Sequence, residues 1–123
     1  MRVLVCGDRE WSDGEAMLCR LQALEVHDEV VLIEGEARGA DLMARGIAKF
    51  FGWRVLPFPA NWDKYHRAAG PIRNQQMLVE GRPDLVLAFH SDLEHSKGTK
   101  DMVDRARRAG VPVEVITGEG EQT

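Results

Sequence analysis

Nothing in the chain is long and apolar enough to cross a bilayer, which takes about 20 residues of helix. Its apolar runs are four or five residues long, as at Leu85–Phe89, so no membrane partner is expected. Cysteine is scarce, with only Cys6 and Cys19; this excludes a disulfide framework and fits buried free thiols in the reducing cytoplasm. Positive charge is not in excess. Sixteen Lys and Arg face twenty Asp and Glu, for a net charge of −4, which disfavours a long nucleic-acid polymer whose phosphates need neutralising. A small anion is still compatible, since local dipoles can outweigh a weak overall field. Internal repeats and low-complexity segments are lacking. The Met1–Gly7 stretch is basic and then apolar, but charge returns at once in Asp8, Arg9 and Glu10; it reads as a strand rather than a secretory signal. His90, Asp92, Glu94 and His95 share one loop without any zinc-ligand spacing, so neither metal nor cofactor is expected.

What is present fits one domain: 123 residues, 44% of them hydrophobic and 29% charged. Five short apolar runs punctuate it, at Val3–Cys6, Val30–Ile33, Trp53–Leu56, Leu85–Phe89 and Val113–Ile116. The first, second and fourth are nearly continuous in apolar residues, as in strands buried on both faces of a parallel sheet. Arg54 and Glu114 interrupt the other two, which suits sheet edges. Helical spacing fills the gaps. Met17, Leu21 and Leu24 share one face, and Ala40, Ala44, Ile47 and Phe51 another, closed by Gly52. A third helix opens at Pro71 and ends near Gly81. Met102, Val103, Ala106 and Ala109 stripe a fourth, stopped by Gly110 and Pro112. Alternating strands and helices imply right-handed crossovers and a Rossmann-like, three-layer α/β domain over residues 1–117. The expected strand order is 3-2-1-4-5, with a topological switch between the first and fourth strands, and the tail from 118 to 123 is expected to be disordered.

The polar, glycine-rich segments follow strands and precede helices, which gathers them at one sheet edge. After the first strand come Gly7, Asp8 and Arg9: a glycine that permits close backbone approach, and an arginine suited to phosphate or carboxylate. Ser12 or Asp13 reads as a helix cap. After the second strand, Gly35 to Asp41 is glycine-rich and opens a helix, an arrangement able to hold an anion on main-chain amides through Gly35 and Gly39. Asp41 would repel a phosphate, so it caps amides, orders the loop or takes ribose hydroxyls. The long loop from Phe58 to Gly70 holds Trp62, Tyr65 and His66; Trp62 and Tyr65 are able either to stack on a base or to pack the loop onto the sheet edge, and Trp62 reads as packing. Arg73 and Asn74 fall in the first turn of the next helix, where a bound anion would also lie. After the fourth strand, Ser96, Lys97, Gly98 and Thr99 can cradle a phosphate or simply cap the helix. The order of a Walker A loop is absent.

Taken together, Gly35-Glu36-Ala37-Arg38-Gly39-Ala40-Asp41, Trp62, Ala69-Gly70-Pro71-Ile72-Arg73-Asn74-Gln75-Gln76-Met77 and Ser96-Lys97-Gly98-Thr99-Lys100-Asp101-Met102-Val103 resemble the YspA-type (cpYpsA-related) branch of the SLOG superfamily. The resemblance runs from the first strand to the fifth. It implies a Rossmann-like fold, a nucleotide or nucleotide-derived ligand, a bacterial or phage cytoplasmic setting and a homodimer. Relatives include the LOG phosphoribohydrolases and the DprA/Smf single-strand DNA binders. By that resemblance Gly98 and Thr99 match the LOG phosphate-binding pair, and Arg73 the arginine preceding it. Two departures stand out: Ser96-Lys97 replace a paired glycine, and the position of the LOG catalytic glutamate is Met102. Asp101 is adjacent, but one residue along a helix turns a side chain by roughly 100°.

Three readings follow. One is a binding or sensing module with Gly7, Asp8, Arg9, Gly35, Gly39, Asp41, Arg73, Asn74, Ser96, Lys97, Gly98 and Thr99 around a nucleotide-type small molecule. The second is an N-glycosidase using Arg73 with a carboxylate from Asp101, Asp41 or Asp8. The third, a DprA-like binder of single-stranded DNA, is disfavoured by the charge.

Overall fold

Short apolar strands separated by amphipathic helices can hide both their faces only by stacking side by side under helices, and the computed structural model, which describes residues 1–118, does this. The strands are β1 (Arg2–Gly7), β2 (Val31–Glu34), β3 (Arg54–Pro57), β4 (Leu85–Phe89) and β5 (Val113–Ile116). They form one sheet in the order β3-β2-β1-β4-β5, every neighbouring pair parallel. The expected order is therefore the observed one. The tail from 118 to 123 lies, Gly118 apart, outside the described residues.

Period-two alternation along the central strands divides the core. Val3, Val5, Leu32, Leu87 and Phe89 face α1 (Gly14–Gln22) and α2 (Ala40–Phe50), packing with Met17, Leu21, Ala40, Ala44 and Ala48. Leu4, Cys6, Ile33, Val86 and Ala88 face α4 (Ala69–Gly81) and α5 (Gly98–Arg108), packing with Met77, Met102, Val103 and Ala106. Most of these side chains are wholly buried, each contributing about 1.5–3 kcal/mol if it is a Val, Leu, Ile, Phe or Met. The edge strands expose Arg54 and Glu114, and Glu114 is paired to Arg20 of α1.

Helix ends follow the local chemistry. Asp13 caps α1 by accepting the Ala16 amide at 3.0 Å. Beyond Gln22 the chain tightens into a 3-10 turn, Ala23–Val26, which still buries Leu24. Gly52 and Gly110 both take φ of 78° just past α2 and α5, the left-handed conformation glycine allows at a helix stop. The segment from 58 to 70 departs from an irregular loop. It contains α3 (Trp62–Tyr65), capped by Asn61, and a 3-10 turn at His66–Ala68, so α4 begins at Ala69 rather than Pro71. Pro71 is still in the first turn, where a missing N–H costs nothing. Arg73 and Asn74 consequently sit two residues deeper than the sequence spacing puts them, in the second turn of the helix rather than the first.

Gly7 shows how closely the layers approach. A Cβ there would lie 2.3 Å from the Phe89 carbonyl oxygen and 2.7 Å from the Ala40 Cβ, both fixed by the sheet and α2. Gly7→Ala is expected to cost about 2–3 kcal/mol of stability through this overpacking, measured by urea unfolding. A change below about 0.5 kcal/mol would show that the layers have slack there.

Candidate functional site

The crossovers leave β1 and β4 in opposite directions, and the gap opened between their carboxyl ends is a cleft of about 600 Å³, within the usual range for a small-molecule site. Gly7, Asp8, Arg9, Asp41, Arg73, Asn74, Ser96, Lys97, Gly98, Thr99 and Asp101 all line it. Gly35 lines an adjoining recess of about 310 Å³ that shares Arg9, Trp62 and Arg73 with the cleft. Gly39 lines neither. Its φ is 78°, and a Cβ there would sit 2.4 Å from the Asp8 and Arg9 carbonyl oxygens. Its bareness lets the loop after β2 pack onto the loop after β1, where the Ala40 amide donates to the Asp8 carbonyl at 3.1 Å.

Arg73 and Asn74 join the loops. Arg73 Nη1 donates to the Gly35 carbonyl at 2.6 Å, and its Nε donates to Asn74 Oδ1 at 3.0 Å. Asn74 Nδ2 in turn donates to the Gly98 carbonyl at 3.2 Å and to Asp101 Oδ2 at 3.0 Å. Two successive residues of α4 thus tie the turn after β2 to the start of α5. Burial, the largest influence, lowers the Arg73 pKa, while nearby Asp41 acts to raise it.

Asp41 is 5% exposed, and its Oδ2 accepts the Gly35 and Ala37 amides at 3.1 and 3.3 Å. It orders the loop, one of the roles its position allows. Burial raises its carboxyl pKa to about 6, against the Ala37 amide and the Arg73 guanidinium, which pull it down. Behind it lies a carboxylate that sequence reasoning passed over. Glu34, wholly buried at the end of β2, pairs with Arg45 of α2 at 2.7 Å and accepts the Glu36 amide at 2.7 Å. Cys6 lies at the cleft floor with its thiol pKa pushed well up by burial, and further by Asp41.

Around the mouth the charges are unequal in what they have left to offer. Arg38 pairs with Glu10 at 2.6 Å, and Asp101 with Arg105 at 2.8 Å. Arg9, Arg67 and Lys97 line the cleft without an ion pair among the described residues. Arg9 lies over the Trp62 ring, 5.8 Å from its centroid. Trp62 is 47% exposed and lines both the cleft and the recess, so it does not simply pack the loop down. At α5, Ser96 Oγ accepts the Thr99 amide at 3.1 Å, making Ser96 the cap. Gly98 has open space around it. Met102 is 1% exposed among Leu4, Val86 and Ala106, so it presents no group to the cleft.

His90 and Arg67 also line the cleft and were not singled out as ligand-binding from the sequence. A topological signal was available for His90. Gly7 pairs with Phe89 in the β1–β4 register, which puts Asp8 and His90 side by side one residue later.

The family model for "YspA, cpYpsA-related SLOG family" (YAcAr) matches residues 1–65. That is more than half of the 123 residues, and the chain belongs to this family. The Arg73-Asn74 and Gly98-Thr99 segments fall beyond the matched stretch. Among solved structures, DNA processing protein A (DprA) from Streptococcus pneumoniae superposes with a TM-score of 0.76 at 20% identity, covering 96% of this chain and 50% of that one. UDP-GlcNAc 2-epimerase from Methanocaldococcus jannaschii superposes with a TM-score of 0.50 at 13% identity, covering 94% of this chain and 31% of that one. At these identities the likeness establishes the fold. This chain spans half or less of the length of either structure. No curated protein matches it. No helix among the described residues is long and apolar enough to cross a membrane.

The Asp41 carboxyl has a direct test. Its pKa is higher folded than the ordinary 3.8, so the folded chain binds this proton more tightly than the unfolded one. Ionisation then costs stability: nothing below about pH 4, increasing between about pH 4 and 6, and complete above, on the order of 3 kcal/mol. The carboxyl carbon of Asp41 should titrate with a midpoint near 6 by NMR. Asp41→Asn should remove this group's share of the stability loss over that window. A midpoint near 4 would mean that the two amides and Arg73 outweigh burial.

Proposed function

We propose that the cleft binds a phosphate-bearing nucleotide or nucleotide-derived molecule, as a binding or sensing module of the SLOG family. The observation that carries this is that Arg9, Arg67 and Lys97 line the same cleft as the start of α5, in a chain whose net charge is −4. A helix start leaves amides without intrahelical partners. Combined with the helix dipole and a neighbouring lysine, it favours an anion. Trp62, half exposed beneath Arg9, offers a flat face on which a base can stack. The Arg73-Asn74 link supports the reading differently: it holds the two loops at fixed separation, so the donors are arranged before the ligand arrives.

Binding is favoured over N-glycoside cleavage by the carboxylates. Asp101 is engaged by Arg105 and Asn74, and Asp41 by two loop amides. Of the three carboxylates a cleavage reaction could use, these two are committed to structure, and only Asp8 keeps an oxygen, Oδ2, free to stabilise an oxocarbenium-like centre. The reading goes with a cytoplasmic homodimer, as the family resemblance implies.

Calorimetry against AMP, ADP, ADP-ribose and cyclic nucleotides, with inorganic phosphate and the free nucleosides as controls, tests this. At least one phosphorylated nucleoside should bind with an affinity that falls as salt rises. Lys97→Ala and Arg9→Ala should each weaken it on the order of tenfold, the worth of one charge-assisted contact. Binding should also change the emission of Trp62, a change lost in Trp62→Phe. A folded protein giving no heat with any of these compounds would overturn the proposal.

A further inference from the structure

Asp8 and His90 are the first residues beyond β1 and β4, side by side at the point where the crossovers diverge. Both are anchored by the sheet: the Asp8 amide donates to the Phe89 carbonyl at 2.9 Å and the His90 amide to the Ile116 carbonyl at 3.0 Å. Their side chains are also set. Asp8 Oδ1 accepts the Glu10 amide at 2.9 Å, which leaves Oδ2 available. The Asp92 amide donates to His90 Nδ1 at 2.9 Å. A ring nitrogen that accepts an N–H carries no proton of its own, so the neutral imidazole holds its proton on Nε2. That Nε2 stands 4.0 Å from Asp8 Oδ2.

This gap is too wide for a hydrogen bond. It is close to the distance one hydroxyl oxygen bridges: about 4–4.6 Å separates the outer atoms when it accepts from one group and donates to the other. The pair offers a donor and an acceptor beside each other. A phosphate would be repelled by Asp8, and an ammonium group would find no use for the Nε2 proton. A hydroxyl satisfies both, because it donates and accepts at once. Asp41 could have played this part, but its carboxylate is buried on the loop amides.

We infer that Asp8 and His90 form a hydroxyl-reading subsite that selects ligands carrying a free sugar hydroxyl, the ribose of a ribonucleotide rather than its deoxy form. This rests on the nucleotide reading of the cleft. His90 Nε2 donates a hydrogen bond to the sugar hydroxyl oxygen, and that hydroxyl donates one to Asp8 Oδ2. Discrimination of this kind is strong because a ligand lacking the hydroxyl leaves both groups without their partner.

The experiment is a calorimetric comparison of AMP, GMP, CMP and UMP with their 2′-deoxy and 3′-deoxy counterparts. It is run on the unaltered protein and on Asp8→Asn, His90→Gln and His90→Ala. At least one ribonucleotide should bind on the order of tenfold tighter than one of its deoxy forms. That ratio should fall to near one in Asp8→Asn, which can still accept the Glu10 amide, and in His90→Ala. Long-range nitrogen NMR should show His90 protonated on Nε2 and bare on Nδ1. Equal binding of both sugar forms, a preference that survives in Asp8→Asn and His90→Ala, or the opposite tautomer would overturn this inference and leave the nucleotide reading standing. No binding of any nucleotide would bring down both.

Discussion

Two neighbouring side chains on one helix set the geometry of this molecule's working edge. Loops that follow parallel strands are tied to the sheet only at their roots, and nothing in the sheet fixes the distance from one loop tip to the next. Arg73 and Asn74 supply that constraint by holding the Gly35 and Gly98 carbonyls from a single rigid element. Arginine suits the long reach because its planar fork can hold the Gly35 carbonyl and the Asn74 side chain at once. The amide of Asn74 suits the junction because it accepts from Arg73 while donating to Gly98 and Asp101. A charged group is thereby spent on internal order. The charge offered to solvent at the cleft comes instead from Arg9, Arg67 and Lys97.

The same logic of close approach explains the two glycines nearest the sheet. Gly7 and Gly39 hold nothing by themselves; they remove atoms that would separate the layers. The loops after β1 and β2 can then exchange a main-chain hydrogen bond through Ala40 and Asp8. The buried Glu34–Arg45 pair extends this ordering to α2. A lone carboxylate there would be costly, but with Arg45 and the Glu36 amide it is satisfied, and it fixes how the helix sits against the end of β2.

The sheet order and the buried character of the central strands were legible in the sequence because period and apolar content carry that information directly. Arg54 and Glu114 marked the edges for the same reason. Side-chain partners were less legible, since they depend on residues far apart in sequence. Arg73 was readable as important, yet its contact with Gly35, 38 positions away, could not be seen from spacing. Its turn of the helix was misplaced because Pro71 tolerates any site in the first turn. Gly39 looked like an anion-binding glycine, and its steric role emerged only once the Asp8 and Arg9 carbonyls were located. For Trp62 the sequence left packing and base stacking both open, because an aromatic residue in a loop is ordinarily a packing residue. Here it lies on a short helix at the rim of the cleft.

Cys6 carries a different kind of consequence. Sulfur chemistry begins with the thiolate, and at the base of the cleft burial and a nearby carboxylate keep the thiol protonated. Electrophiles and peroxides that react readily with an ionised cysteine therefore meet an unreactive sulfur there, while Cys19, exposed on α1, is the thiol within their reach. Burial and the neighbouring carboxylate thus disfavour, at the floor of the cleft, the ionised form through which oxidants modify a cysteine.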